Sequence, residues 1–205
     1  EEEAATAAVE ILEAAYDRIG DELRTFPAET ITVVLYTQQQ FRDVTRTPGW
    51  SGGLFDGRIR MPIRGGLADR REFERVLTHE YVHALVHSVA AGGVPAWLNE
   101  GLAAALETGG PDRARRDIRR GPLVPLRDLT RSFASLPATA VPSAYAGSAL
   151  AALDVLERAG APRLAGLLAD LGSGADFDRA FLSWVQVPFA EFEREWLEAV
   201  REARR

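Results

Sequence analysis

The spacing of apolar positions changes character along the chain, and each change marks an element. Glu1 to Leu23 carries Val9, Leu12, Ala15, Tyr16, Ile19 and Leu23 at helical intervals, which predicts an amphipathic helix packing on the fold through that face. Ile31-Thr32-Val33-Val34-Leu35-Tyr36 is rich in β-branched residues and predicts a short buried strand. Gln38 to Arg46 reads as a helix ending before Pro48, with Pro48-Gly49-Trp50-Ser51-Gly52-Gly53 as a loop. Asp56-Gly57 is a hairpin signal joining Gly53–Phe55 to Arg58–Ile63. In that second strand Ile59, Met61 and Ile63 alternate with Arg58, Arg60 and Pro62. Pro62 has no N–H for a ladder, so the strand is expected at a sheet edge. The apolar run from Glu74 to Ala91 predicts a helix stopped by Gly92-Gly93, and a second helix opens at Pro95 or Ala96.

Beyond Thr108 the pattern breaks at Gly109-Gly110-Pro111, passes through a basic run containing Arg113, Arg115, Arg116, Arg119 and Arg120, and breaks again at Gly121-Pro122. The run reads as a solvated helix face; attraction of acidic substrate groups is the alternative. From Val124 the periodicity is helical: Leu126–Phe133, Ser143–Ala159, Pro162–Leu171, Phe177–Trp184 and Phe189–Ala203. The fold class expected is α+β. A small mixed sheet with its helices (1–108) leads through a joint (109–124) to a mostly helical C-terminal lobe (125–205), with a cleft between. Composition narrows the function. With 46% apolar and 26% charged residues, disorder is not expected, and a net charge of −6 gives no basis for nucleic-acid binding. No cysteine is present, so a metal would need N and O ligands. No apolar run reaches the roughly 20 residues of a membrane span. The first residue is Glu1 rather than Met, so a segment of a larger chain is expected, and the sequence assigns no compartment.

The candidate chemistry lies between Thr78 and Ala103. His79-Glu80-Tyr81-Val82-His83 puts two imidazoles at i and i+4 on one helical face, about 6 Å apart along the axis, with a carboxylate beside them. Two of the 3 histidines in the chain fall in this pattern. The spacing lets both rings reach one tetrahedral Zn²⁺ while Glu80, about 100° round the helix from His79, can take a proton from a water there. A chance match, with two ordinarily partnered histidines and a solvated glutamate, is the bland alternative. His87 continues the series but lies about 12 Å along the axis from His79, too far to share the ion. Glu100 is a better third ligand, because an antiparallel helix starting near Pro95 would bring it back beside the histidines. His79, His83 and Glu100 make the open set of a catalytic zinc site rather than a closed structural one.

HEYVH followed by Pro95-Ala96-Trp97-Leu98-Asn99-Glu100-Gly101-Leu102-Ala103 resembles the gluzincin zinc metallopeptidases, most closely the bacterial peptidase MA-like domain. The resemblance implies that Glu100 is the third ligand. It implies that Arg58–Ile63, the strand before the metal helix, pairs with extended substrate through Arg58, Ile59, Arg60 and Met61. It makes Tyr145 the candidate oxyanion donor, against a plain core aromatic, and Glu107 the candidate partner of a histidine N–H, against a solvated helix end. Two departures are visible. Ala104 stands where one branch has a histidine-orienting aspartate. The strand also lacks the acid with which the aminopeptidase branch holds a free amine, which disfavours an exopeptidase. The function implied is a zinc-dependent endopeptidase acting on a peptide or protein, with Glu80 as general base and acid. A catalytically silent, zinc-stabilised binding or scaffold module is the alternative.

Overall fold

The computed structural model describes residues 2–46, 52–63 and 69–204; most of the loop expected at Pro48 to Gly53 lies outside them. The first helix, α1 (Glu2–Leu23), buries Ala4, Ala7, Ala8, Ile11, Ala15, Ile19 and Leu23. Of the face expected, Ala15, Ile19 and Leu23 are buried and Leu12 packs partly buried on the core, whereas Val9 and Tyr16 are 54% and 43% exposed. Tyr16 instead packs its ring against Phe26 at a centroid distance of 4.9 Å.

The sheet has three strands: β1 (Val33–Thr37), β2 (Leu54–Phe55) and β3 (Ile59–Ile63). Helix α2 (Gln38–Thr45) connects β1 toward the hairpin and opens with a capping box between Thr37 and Gln40. Strand order is β1-β3-β2, with β3 parallel to β1 and antiparallel to β2. This corrects the expectation that β3 is an edge strand. The Ile59 N–H donates to the Thr32 carbonyl at 2.9 Å, so odd-numbered residues of β3 face β1 and even-numbered ones face β2. Strand β2 reaches only as far as the partner of Arg60. Pro62 therefore turns its nitrogen toward a stretch with no ladder to supply, and a central strand tolerates it.

Helix α3 (Arg70–Val89) starts a turn ahead of its apolar run, because the Asp69 side chain accepts from the Glu72 N–H and caps it. After a turn at Gly92 and Gly93 comes α4 (Ala96–Leu106), and then α5 (Gly110–Asp117) within the segment expected as a joint. The helix expected over Leu126–Phe133 is instead two separate 3₁₀ turns, Leu126–Leu129 and Phe133–Ser135. The Thr130 carbonyl accepts from the Ala96 N–H at 3.1 Å, so it serves the N-terminus of α4 rather than a continuing helix. The rest is helical: α6 (Val141–Ala159), α7 (Ala161–Gly172), α8 (Phe177–Val185) and α9 (Phe189–Ala203). The class is thus α+β, a small mixed sheet followed by a mostly helical region. Among the described residues no helix is long and apolar enough to cross a membrane.

Two features hold α4 in place. Trp97 is fully buried and stacks on Phe189 at 5.8 Å, within a cluster that includes Phe177, Phe181 and Phe192 from α8 and α9. Burying an aromatic of this size contributes roughly 1.5–3 kcal/mol. One turn further along α4, the helix lies so close to α6 that a Cβ on Gly101 would sit 2.3 Å from the Ser148 carbonyl oxygen. Glu100 is thereby fixed from both sides by its neighbours in the chain.

Candidate metal centre

The two histidines of α3 and the glutamate of α4 converge. His79 Nε2 lies 3.6 Å, and His83 Nε2 3.5 Å, from Glu100 Oε2. Three ligands held about 2.05 Å from one tetrahedral Zn²⁺ stand about 3.3 Å apart, so these separations fit a shared ion better than hydrogen bonds. His79, His83 and Glu100 are a group that could hold a metal ion. Their outer nitrogens are already engaged. His79 Nδ1 is 3.0 Å from Glu107 Oε2, and His83 Nδ1 is 3.1 Å from Asn99 Oδ1. In the neutral ring with Nδ1–H donated outward, each Nε2 lone pair would be free for an ion shared with Glu100. Such a donor set fits a divalent cation.

Electrostatics agree with that fit. Burial pulls the His79 imidazole down, but the carboxylates of Glu100 and Glu107 more than offset it and raise it to about 10. Burial would raise Glu100, yet the two histidines hold it well below the usual carboxylate range. In the absence of a cation, then, His79 holds an extra proton against Glu100, in the place a positive ion would take. Glu107 is held in turn by two guanidinium groups: Arg75 Nη1 donates at 2.8 Å and Arg113 Nε lies at 3.2 Å.

Glu80 faces the same space. It is 7% exposed, makes no hydrogen bond to a described residue, and is pushed up by burial against the opposing pull of His79 and His83. Gly53 lets the backbone of the hairpin come against it, since a Cβ there would meet Glu80 Cγ at 2.8 Å. Tyr145, on α6, has its ring centroid 6.4 Å from that of His79 and 5.0 Å from that of Phe133. Burial and the neighbouring carboxylates Glu100 and Glu80 push its phenol up, so it remains a donor. His87 stands apart from the metal group, its ring edge-on to Phe55 at 5.4 Å.

These groups line one cleft of about 1030 Å³. Strand β3 does not reach it. Ile59 and Met61 bury their side chains in the core, Arg60 pairs with Asp56 and Tyr36, and Arg58 does not line the cleft either. Gly52 to Phe55 line it instead, because the hairpin turns β2 to the cleft side of the sheet. Sequence reasoning missed Arg75 and Asn99. Arg75 lies one turn before His79 on α3, and Asn99 lies next to Glu100, so helical spacing was a signal for both. The chain matches no protein-family model, no curated protein and no solved structure. What the site does is therefore argued from its own geometry.

Proposed function

We propose that this protein is a zinc-dependent metallopeptidase of gluzincin type, an endopeptidase acting on extended peptide. The observation that carries the reading is the convergence of His79 Nε2, His83 Nε2 and Glu100 Oε2 beside a buried Glu80 that makes no hydrogen bond to a described residue. The likeness of HEYVH and PAWLNEGLA to the peptidase MA-like domain supports it. His79, His83 and Glu100 would hold the ion, which when bound supplies Lewis acidity toward a carbonyl and lowers the pKa of a water.

The chain's own residues supply the rest. Glu80 takes a proton from the attacking water as its oxygen bonds to the carbonyl carbon. It then delivers that proton to the amine nitrogen as the C–N bond breaks. Its raised pKa suits a group that must both accept and release. The Tyr145 O–H donates to the carbonyl oxygen as negative charge grows there. Glu107 and Asn99 fix the histidine tautomers. Substrate backbone lies along the outer edge of β2, which takes no further strand among the described residues, while Ile59 and Arg60 of β3 pair with β2 from behind. The lobes 1–108 and 125–205 are the two walls of the cleft, with 109–124 between them.

A binding or scaffold module would have no use for a carboxylate held beside the two histidines where burial disfavours its charge. Glu80→Gln separates the readings. On a broad peptide library the zinc-loaded variant should retain its metal while turnover falls by about 10²–10⁴. Full activity in the variant would end the assignment of Glu80. Absence of any cleavage by the wild type would favour the scaffold.

A further inference from the structure

Five arginines lie in the basic run from Arg113 to Arg120, and their surroundings differ. Arg115 pairs with Asp112 at 3.2 Å, Arg119 donates to the Ala203 carbonyl, Arg120 pairs with Asp117, and Arg116 is exposed. Arg113 alone among them lines the cleft. Its Nε lies 3.2 Å from Glu107 Oε1, its side chain is 45% exposed, and neither Nη makes a hydrogen bond to a described residue. One edge of the guanidinium is anchored and its fork is open.

The other charges on this side of the cleft are already matched. Arg75 gives Nε and Nη2 to Glu72 and Nη1 to Glu107, so each of its three nitrogens is engaged. Glu107 faces His79 Nδ1, accepts from Arg75 and pairs in charge with Arg113. Asp117, one turn further along α5 and also in the cleft, pairs with Arg120 at 3.2 Å. The support beneath Arg113 is rigid. Ala114 is 3% exposed, and the start of α5 meets α4 so closely that a Cβ on Gly110 would lie 2.3 Å from the Ala104 carbonyl oxygen.

We infer that Arg113 is a specificity-determining residue whose open fork receives a carboxylate of the peptide substrate on the His79 side of the scissile bond. An anchored planar guanidinium with two free nitrogens matches a carboxylate in bidentate geometry. One shared carboxylate, that of Glu107, separates it from His79. An extended chain rises about 3.3 Å per residue, so the group received lies within about three residues of the bond cut. Either an acidic side chain or the free C-terminus of a short peptide supplies this chemistry. The inference rests on the peptidase reading for its substrate, but Arg113 can be tested separately.

The probes are peptides of one fixed sequence with Glu or Gln placed at successive positions, each with a free or an amidated C-terminus. The zinc-loaded wild type should favour the carboxylate member by about tenfold in kcat/KM at one or two positions on one side only, the scale of a partly screened charge-assisted hydrogen bond. Which arm shows the preference tells a side chain from a C-terminus. Arg113→Gln should bring the ratio to about one, and Arg113→Glu should invert it. A residue that merely buttressed Glu107 would slow both members equally and leave the ratio intact, which would overturn the inference. Calorimetry on zinc-loaded Glu80→Gln, with and without Arg113→Gln, reads the same preference as binding. Preference in binding without cleavage by the wild type would sink the peptidase reading and keep the role of Arg113. Cleavage with no carboxylate preference at any position would do the reverse.

Discussion

Replacing Glu107 by Gln takes one negative charge from a carboxylate that is 2% exposed and is engaged on three sides: by His79 Nδ1 at 3.0 Å, by a hydrogen bond from Arg75 at 2.8 Å and by an ion pair with Arg113 at 3.2 Å. Glutamine keeps the volume but has one acceptor oxygen, and its NH₂ must face at least one of these donors. Arg75 retains its two bonds to Glu72, and Arg113 is half exposed to water, so the fold should survive. His79 has no other partner for Nδ1 and should bear the loss. Removing the outer partner of a ligand histidine typically weakens metal binding about 10–100-fold, or about 1.4–2.7 kcal/mol. Zinc affinity should be read by competition with a chromophoric chelator at fixed pH and salt, with circular dichroism as the check on folding. Asn99→Ala, which strips the equivalent partner from His83, should give a loss of the same order. A Glu107→Gln protein that is natively folded and binds zinc within twofold of wild type would show the contact to be an ordinary ion pair, with no hold on the site.

Gly101→Ala adds a methyl group 2.3 Å from the Ser148 carbonyl oxygen; the overpacking costs about 1–3 kcal/mol and should outweigh the roughly 1 kcal/mol gained in helix propensity. Denaturant unfolding should show a lower midpoint, and a raised one would refute the close packing of α4 on α6. The metal-free protein should also respond to pH. His79 is raised to about 10 when folded, against about 6.5 unfolded, so its contribution is complete below about pH 6.5 and is lost as pH climbs through about 10. Glu80, raised by burial, acts with the same sign from the carboxylate range upward. Melting temperature in excess chelator should therefore fall between pH 6.5 and 10; a rise over that window would contradict the protonated His79.

The long helices and the class of the fold were legible because helical periodicity survives without knowledge of partners. So was the metal group, since i, i+4 histidines and a glutamate after a turn specify a local geometry. What escaped depended on pairing. Pro62 reads as an edge signal, and only the early end of β2 shows why it sits in a central strand. Val9 and Tyr16 look like core, but the inward face of α1 runs through Ala4, Ala8, Ile11, Ala15 and Ile19 and leaves those two exposed. Leu126 to Phe133 has helical spacing, yet the Thr130 carbonyl is taken by Ala96. Arg113 looked like one of five interchangeable solvated arginines; the docking of α5 on α4 turns it alone into the cleft.

The close seating of α4 on α6 has a consequence for how the protein is made. During synthesis His79, His83 and Glu100 leave the ribosome early and near one another in sequence. The backbone surface that holds Glu100 in place belongs to α6, and the aromatic residues that clasp Trp97 belong to α8 and α9, all of which emerge later. The nascent chain thus carries its complete set of ligands well before it can keep them in register. A product cut short ahead of Val141 would have every metal-binding side chain and nothing to hold them together. The three side chains are held firmly in register only once α8 and α9 have closed on the helices that precede them.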